Sequence, residues 1–120
     1  MSSMMDFFGE PISVYTREQA LEDGVLIDVT DTARENGFKI PVAITAAVWV
    51  ACVAEGDEAA APRVRDVCWM AFLRVRAALS NHEPEDTPKP YWVTLWRQSY
   101  HLWIMFSPYE GFTIGLPSDF

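Results

Sequence analysis

The chain has 120 residues, half of them apolar, and a formal net charge of −8. Its length and apolar content describe one domain, residues 1–120, with a full hydrophobic core, and they exclude disorder over most of the chain; residues 1–8 alone are open to it. All of the net charge lies in residues 1–60, which carry eleven acids and three bases, whereas residues 61–120 carry six of each. A domain with one acidic half is poorly suited to bind nucleic acid and well suited to meet a basic partner.

Residues 12–15 read as a short strand. Thr16-Arg17-Glu18-Gln19 then fits a capping box, in which the Thr16 hydroxyl and the Gln19 side chain each take an orphan backbone N–H. The helix it opens is brief, because Gly24 stands where a left-handed C-terminal residue is wanted. Residues 25–29 are β-prone and apolar on both faces. Thr30 is placed to cap a second short helix through Asn36, ended by Gly37, and Pro41 keeps residues 38–40 extended.

Residues 45–54 are Ala-rich and read as a helix, with Ala47, Val48 and Ala51 or Cys52 on one face. Glu55-Gly56-Asp57-Glu58 is an acidic break. Pro62 suits the first turn of the longest helix, which runs to about residue 81. Val64, Val67, Cys68, Ala71, Val75, Ala78 and Leu79 recur at spacings of three and four as one apolar stripe. Trp69, Met70, Phe72 and Leu73 widen it, so contact on two sides is expected. Residues 82–90 form a loop. Residues 91–97 and 100–106 read as two strands joined by a tight turn at Gln98-Ser99, and 112–116 as a third. The order of elements predicts α+β: short N-terminal β/α elements, one long central helix, and a C-terminal antiparallel, aromatic-rich sheet packed on helices.

No motif names a reaction. Cys52 and Cys68 fall in apolar helical segments, where a free thiol is a small hydrophobe and not a nucleophile. His82 and His101 lack metal-ligand spacing, and the six glycines are scattered and form no phosphate loop. An enzyme would have to use a carboxylate pair such as Asp28 and Asp31, which nothing in the spacing recommends. Neither a cofactor nor a metal is expected. The longest apolar run falls short of the roughly 20 residues of a membrane span, and no signal peptide is evident, so a cytoplasmic location is expected.

The candidate binding residues are therefore the acids and the aromatics. Glu18, Glu22 and Asp23 belong to the first helix, Asp31 and Glu35 to the second, and Glu55, Asp57 and Glu58 to the break. Glu18 and Glu22 repel at i, i+4, a pattern that either serves binding or only solvates the surface. Eight of the sixteen aromatics fall between Tyr91 and Phe112, and Trp92 and Trp96 share one strand face. That face is either buried by a second layer or open to a partner. With only Lys89 and Arg97 nearby, base stacking is the weakest use of it.

The stretch Phe8-Gly9-Glu10-Pro11-Ile12-Ser13-Val14-Tyr15-Thr16-Arg17, with Gln19-Ala20 and Glu22-Asp23-Gly24-Val25-Leu26-Ile27-Asp28-Val29, resembles the opening of a family of small bacterial proteins. Ala33, Gly37-Phe38, Pro41-Val42-Ala43, Thr45 and Val48-Trp49 extend the similarity, which is close over roughly residues 8–53 and loose over the long helix. That family is a domain of unknown function, often encoded on plasmids and phages, with no agreed catalytic residues. The resemblance implies a non-enzymatic inhibitor of host defence, of the anti-CRISPR kind. Its expected partner is a basic protein or ribonucleoprotein surface, with no direct nucleic-acid contact and no membrane. The alternatives are a plasmid or phage accessory module with another partner, and a homodimeric structural protein joined through the aromatic sheet.

Overall fold

The structure is a computed structural model that describes residues 16–53, 60–95, 97–108 and 110–120. The expected start, the strand at 12–15, the acids Glu55, Asp57 and Glu58, and Trp96 lie outside the described residues. The architecture is α+β. In chain order come α1 (Arg17–Glu22), β1 (Leu26–Asp28), α2 (Thr30–Glu35), β2 (Val42–Thr45) and α3 (Ala46–Val48), which runs on as a π-helical turn (Trp49–Val53). Then follow α4 (Ala60–Ser80), β3 (Lys89–Leu95), β4 (Gln98–Ser107), β5 (Gly111–Gly115) and a closing 3-10 turn (Pro117–Asp119).

The strands form one sheet in the order β1-β2-β5-β4-β3, antiparallel except where β5 lies parallel to β2. Register assigns the faces, because residues directly opposite share a side. One face carries Ile27, Val42, Ile44, Phe112, Ile114, Leu102, Ile104, Tyr91, Val93 and Leu95, and with Val64, Val67, Cys68 and Ala71 of α4 it makes the core. We call this the inner face. The outer face carries Leu26, Asp28, Ala43, Thr45, Thr113, Met105, Trp103, His101, Trp92 and Thr94.

Local chemistry sets the short helices. Thr16 Oγ1 accepts the Gln19 N–H at 3.0 Å and Gln19 Oε1 accepts the Thr16 N–H at 2.9 Å, which completes the capping box. Gly24, Gly37 and His82 each end a helix in the left-handed region. In each case the following N–H returns to a carbonyl five residues back: Val25 to Ala20, Phe38 to Ala33, and Glu83 to Ala78. At the third position a histidine with φ 57° does what glycine usually does. Gly111 is fixed by proximity as well, since a Cβ there would lie 2.3 Å from the Pro41 carbonyl oxygen. That oxygen accepts the Phe112 N–H at 2.9 Å and starts the parallel pairing of β2 with β5.

Several elements differ from the sequence-based expectation. Residues 42–45 are a strand; the helix begins only at Ala46, where Thr45 is its N-cap and accepts the Val48 N–H at 3.2 Å. Thr30 does not cap α2; its hydroxyl bonds Asp28 and Val42 and so ties α2 to both neighbouring strands. The β3–β4 turn comes earlier than Gln98-Ser99, because Leu95 already opposes Gln98 and Thr94 opposes Ser99. Along α4 the stripe is buried at Val64, Val67, Cys68, Ala71 and Ala78 and half-buried at Val75, but Leu79 is 66% exposed. Contact on a second side is made only in part: α4 rests on β3 and meets α2, and Phe72 packs edge to face on Phe38 at 5.5 Å, but Trp69 and Met70 are exposed.

Candidate interaction surface

The outer face is half covered. Arg17, the first residue of α1, reaches across it: Nη1 donates to Thr113 Oγ1 at 2.8 Å and Nη2 to the Phe112 carbonyl at 2.7 Å. Burial lowers the pKa of this guanidinium, and the nearby carboxylates of Glu110 and Asp28 oppose that shift. The contact pins α1 over β1, β2 and β5. Between α1 and the closing turn lies a cleft of about 390 Å³ with Arg17, Thr45, Glu110, Thr113 and Asp119 on its walls. Most of these polar groups serve the fold, since Asp119 Oδ2 accepts from Thr45 Oγ1 and from the Leu116 N–H, both at 2.8 Å.

The predicted acids fall into two groups. Glu18, Glu22 and Asp23 ride on α1, on the outer side of the sheet, and all three are exposed. Asp31 and Glu35 ride on α2, which packs against α4 on the inner side, and both are exposed too. The groups therefore stand on opposite faces and flank the same short edge strand, β1. Among the described residues none of Glu18, Glu22, Asp31 and Glu35 forms a salt bridge; the Arg74–Glu83 pair lies at the other end of the molecule. Asp28 accepts hydrogen bonds from the Thr30 N–H and hydroxyl.

Trp92 sits on the outer face of the opposite edge strand, β3, and is 59% exposed. His101 is half-buried and stacks on it at 4.7 Å. Beside them Trp103 stacks on Phe120 at 6.1 Å, with its Nε1 buried and unpartnered. This strip of rings leaves part of the outer face without a second layer among the described residues. Four strand spacings separate β1 from β3, about 19 Å, so Trp92 and the acids of α1 belong to one face but not one cluster. The two groups share the outer side of the sheet at opposite edges, and the acids of α2 stand on the other side.

A further concavity lies on the inner side, where α4 ends. Val75, Ala78 and Leu79 of the helix face Ile104, Phe106 and Phe112 of the sheet across a cavity of about 200 Å³, bordered at the lip by Glu83, Pro84, Glu85, Thr87 and Lys89. Arg74 fastens the lip: Nη1 and Nη2 donate to Glu83 at 3.1 and 2.9 Å, and Nε donates to the Pro90 carbonyl at 2.9 Å. Those hydrogen bonds hold the Glu83 carboxyl below its usual range. The Lys89 ammonium is almost fully buried and donates to Thr87 Oγ1 and to the Pro84 and Thr87 carbonyls. Sequence reasoning missed this cavity, since only Leu79 at the outer limit of the stripe hinted at apolar surface left uncovered.

Cys52 and Cys68 are buried and not joined in a disulfide, and burial pushes the Cys68 thiol up to about 12. Among the described residues no group of three or more His, Cys, Asp or Glu could hold a metal ion, and no helix is long and apolar enough to cross a membrane.

A family model described as a family of unknown function (DUF6573) matches residues 4–72, and the chain belongs to that family. The matched segment spans α1 to the middle of α4 and leaves out the β3–β4–β5 sheet. No curated protein and no solved structure matches the chain.

Proposed function

We propose that this DUF6573-family protein works without catalysis, as an inhibitor carried by a plasmid or phage that occupies a basic, nucleic-acid-binding surface of a host defence complex. The observation that carries this reading is the set of exposed carboxylates at Glu18, Glu22, Asp31 and Glu35, which make no salt bridge among the described residues, on a chain whose net charge of −8 resides in that half. Carboxylates left unneutralised by their own fold keep their field for a partner, and a site built to neutralise phosphates answers to it. Residues that could attack a substrate are poorly placed, for both thiols are buried and Asp28 is engaged by Thr30. The cytosol, where such complexes operate, is the setting this reading requires.

The test has two parts. In a defence-proficient host, expression of the chain should protect an incoming phage or plasmid. Glu18→Lys with Glu22→Lys, and separately Asp31→Lys with Glu35→Lys, should weaken both protection and the salt-sensitive capture of the defence complex. Full protection by both reversed proteins would overturn electrostatic mimicry. Protection absent from the unmodified chain would favour an accessory module instead. The exposed Trp92 supports a second reading, self-association through the outer face, which sedimentation of Trp92→Ala against the parent would reveal.

A further inference from the structure

The cavity at the end of α4 is the wrong size for a nucleotide or cofactor and the right size for one side chain. Pockets that enclose drug-sized ligands run from roughly 300 to 1,000 Å³, whereas an apolar hole of about 150 Å³ takes a single benzene ring. At about 200 Å³, with walls of Val75, Ala78, Ile104, Phe106 and Phe112, this one suits an aromatic ring or a branched aliphatic group. It exists because Ala78 is the helix residue aimed at the sheet here, and a methyl group does not span the gap. Leu79, 66% exposed beside the opening, extends the apolar surface outward.

The lip supplies a sign. Glu83 and Glu85 line it and Asp86 follows directly in the chain; Arg74 occupies Glu83, while Glu85 and Asp86 are exposed and make no salt bridge among the described residues. The cation nearest the cavity, Lys89, is buried and its ammonium is spent on Pro84 and Thr87. An apolar hole with free carboxylates at its rim selects an apolar group flanked by positive charge. We propose that this cavity is an anchor site for a partner protein, which inserts one aromatic or branched side chain from a segment rich in lysine or arginine. The inference deepens the reading of a basic partner and rests on it, but it invokes a surface remote from α1.

The test needs no host factor. The full chain, labelled at Ile, Leu and Val methyls, is titrated with acetyl-Lys-Lys-Phe-Lys-Lys-amide while the resonances of Val75, Leu79 and Ile104 are followed. Saturable shifts confined to those methyls are expected, with affinity falling about tenfold or more when the central Phe is replaced by Ala. Glu85→Lys with Asp86→Lys should weaken binding severalfold at low salt and converge on the parent in about 0.3 M NaCl. Ala78→Leu fills the hole and should abolish the shifts while the fold is retained. No shifts with the Phe peptide, or equal shifts with a Glu-Glu-Phe-Glu-Glu peptide, would overturn the proposal. Reversal of the α1 and α2 acids should leave this titration unchanged, so its failure and failure of the inhibitor reading are separable.

Discussion

Replacing Gly111 by alanine should be among the most damaging small changes available to this fold. Gly111 opens β5 at φ 112°, a conformation that costs a non-glycine residue about 1–3 kcal/mol. Its new Cβ would lie 2.3 Å from the Pro41 carbonyl oxygen, which is backbone and cannot rotate aside. Ordinary contact requires a retreat of about 1 Å, which forfeits the Phe112 N–H bond to that oxygen, worth about 1 kcal/mol. Against these stands about 0.4–1 kcal/mol from the stiffer unfolded chain. The net expectation is a destabilisation of about 3 kcal/mol, where Gly24→Ala, at φ 77° with nothing within 4 Å of its Cβ, should cost about 1 kcal/mol or less. Urea unfolding followed by tryptophan fluorescence, with m-values compared, separates the two. If Gly111→Ala and Gly24→Ala fell within about 1 kcal/mol of each other, the claim that carbonyl contact locks the β2–β5 junction would be wrong.

His82→Gly should stabilise the protein by about 0.5–1 kcal/mol, because the histidine holds φ 57° in the cap of α4; an unchanged midpoint in urea would show that its side chain compensates. The Cys68 thiol ionises near 12 in the folded state and near its ordinary 9.0 when unfolded, so its contribution is complete below pH 9 and is lost as pH rises from 9 toward 12. Stability should fall by about 1.4 kcal/mol per pH unit in that window, with a shallower slope for Cys68→Ala. Tyr91, fully buried with its hydroxyl on the Val67 carbonyl and its pKa raised by that burial, steepens the loss once pH passes its ordinary 10.0. At the acid end, Arg74→Ala should return the Glu83 pKa to the usual glutamate range in an NMR titration. The parent's Glu83 contribution is present at neutral pH and disappears as pH drops through that lowered pKa.

The sequence conveyed the local events well. Thr16 and Gln19, Gly24, Gly37 and the first-turn Pro62 each act through neighbours within a few residues, and each stands where its chemistry places it. What escaped was non-local. Val42-Ala43-Ile44-Thr45 is apolar on both sides and runs into an alanine-rich stretch, so periodicity cannot distinguish a short buried strand from the start of a helix. Besides β1 it pairs with β5, some 70 residues on, and nothing local announces that parallel pairing. The hairpin shows a similar limit, for Gln98-Ser99 has turn-like composition while the register closes at Leu95 and Gln98. For the candidate surface, the exposure of Glu18, Glu22, Asp23, Asp31 and Glu35 follows from charge alone. Their division between two faces depends on how the chain passes through β1, which composition does not encode.

If the acids serve binding, as proposed, that division bears on the shape of the partner. α1 and α2 sit on either side of β1, one helix above the sheet and one below. The result is a wedge charged on both flanks, with a three-residue strand as its blade. A flat receptor could touch one flank at a time; only a cleft, with cationic walls facing each other, could grip both.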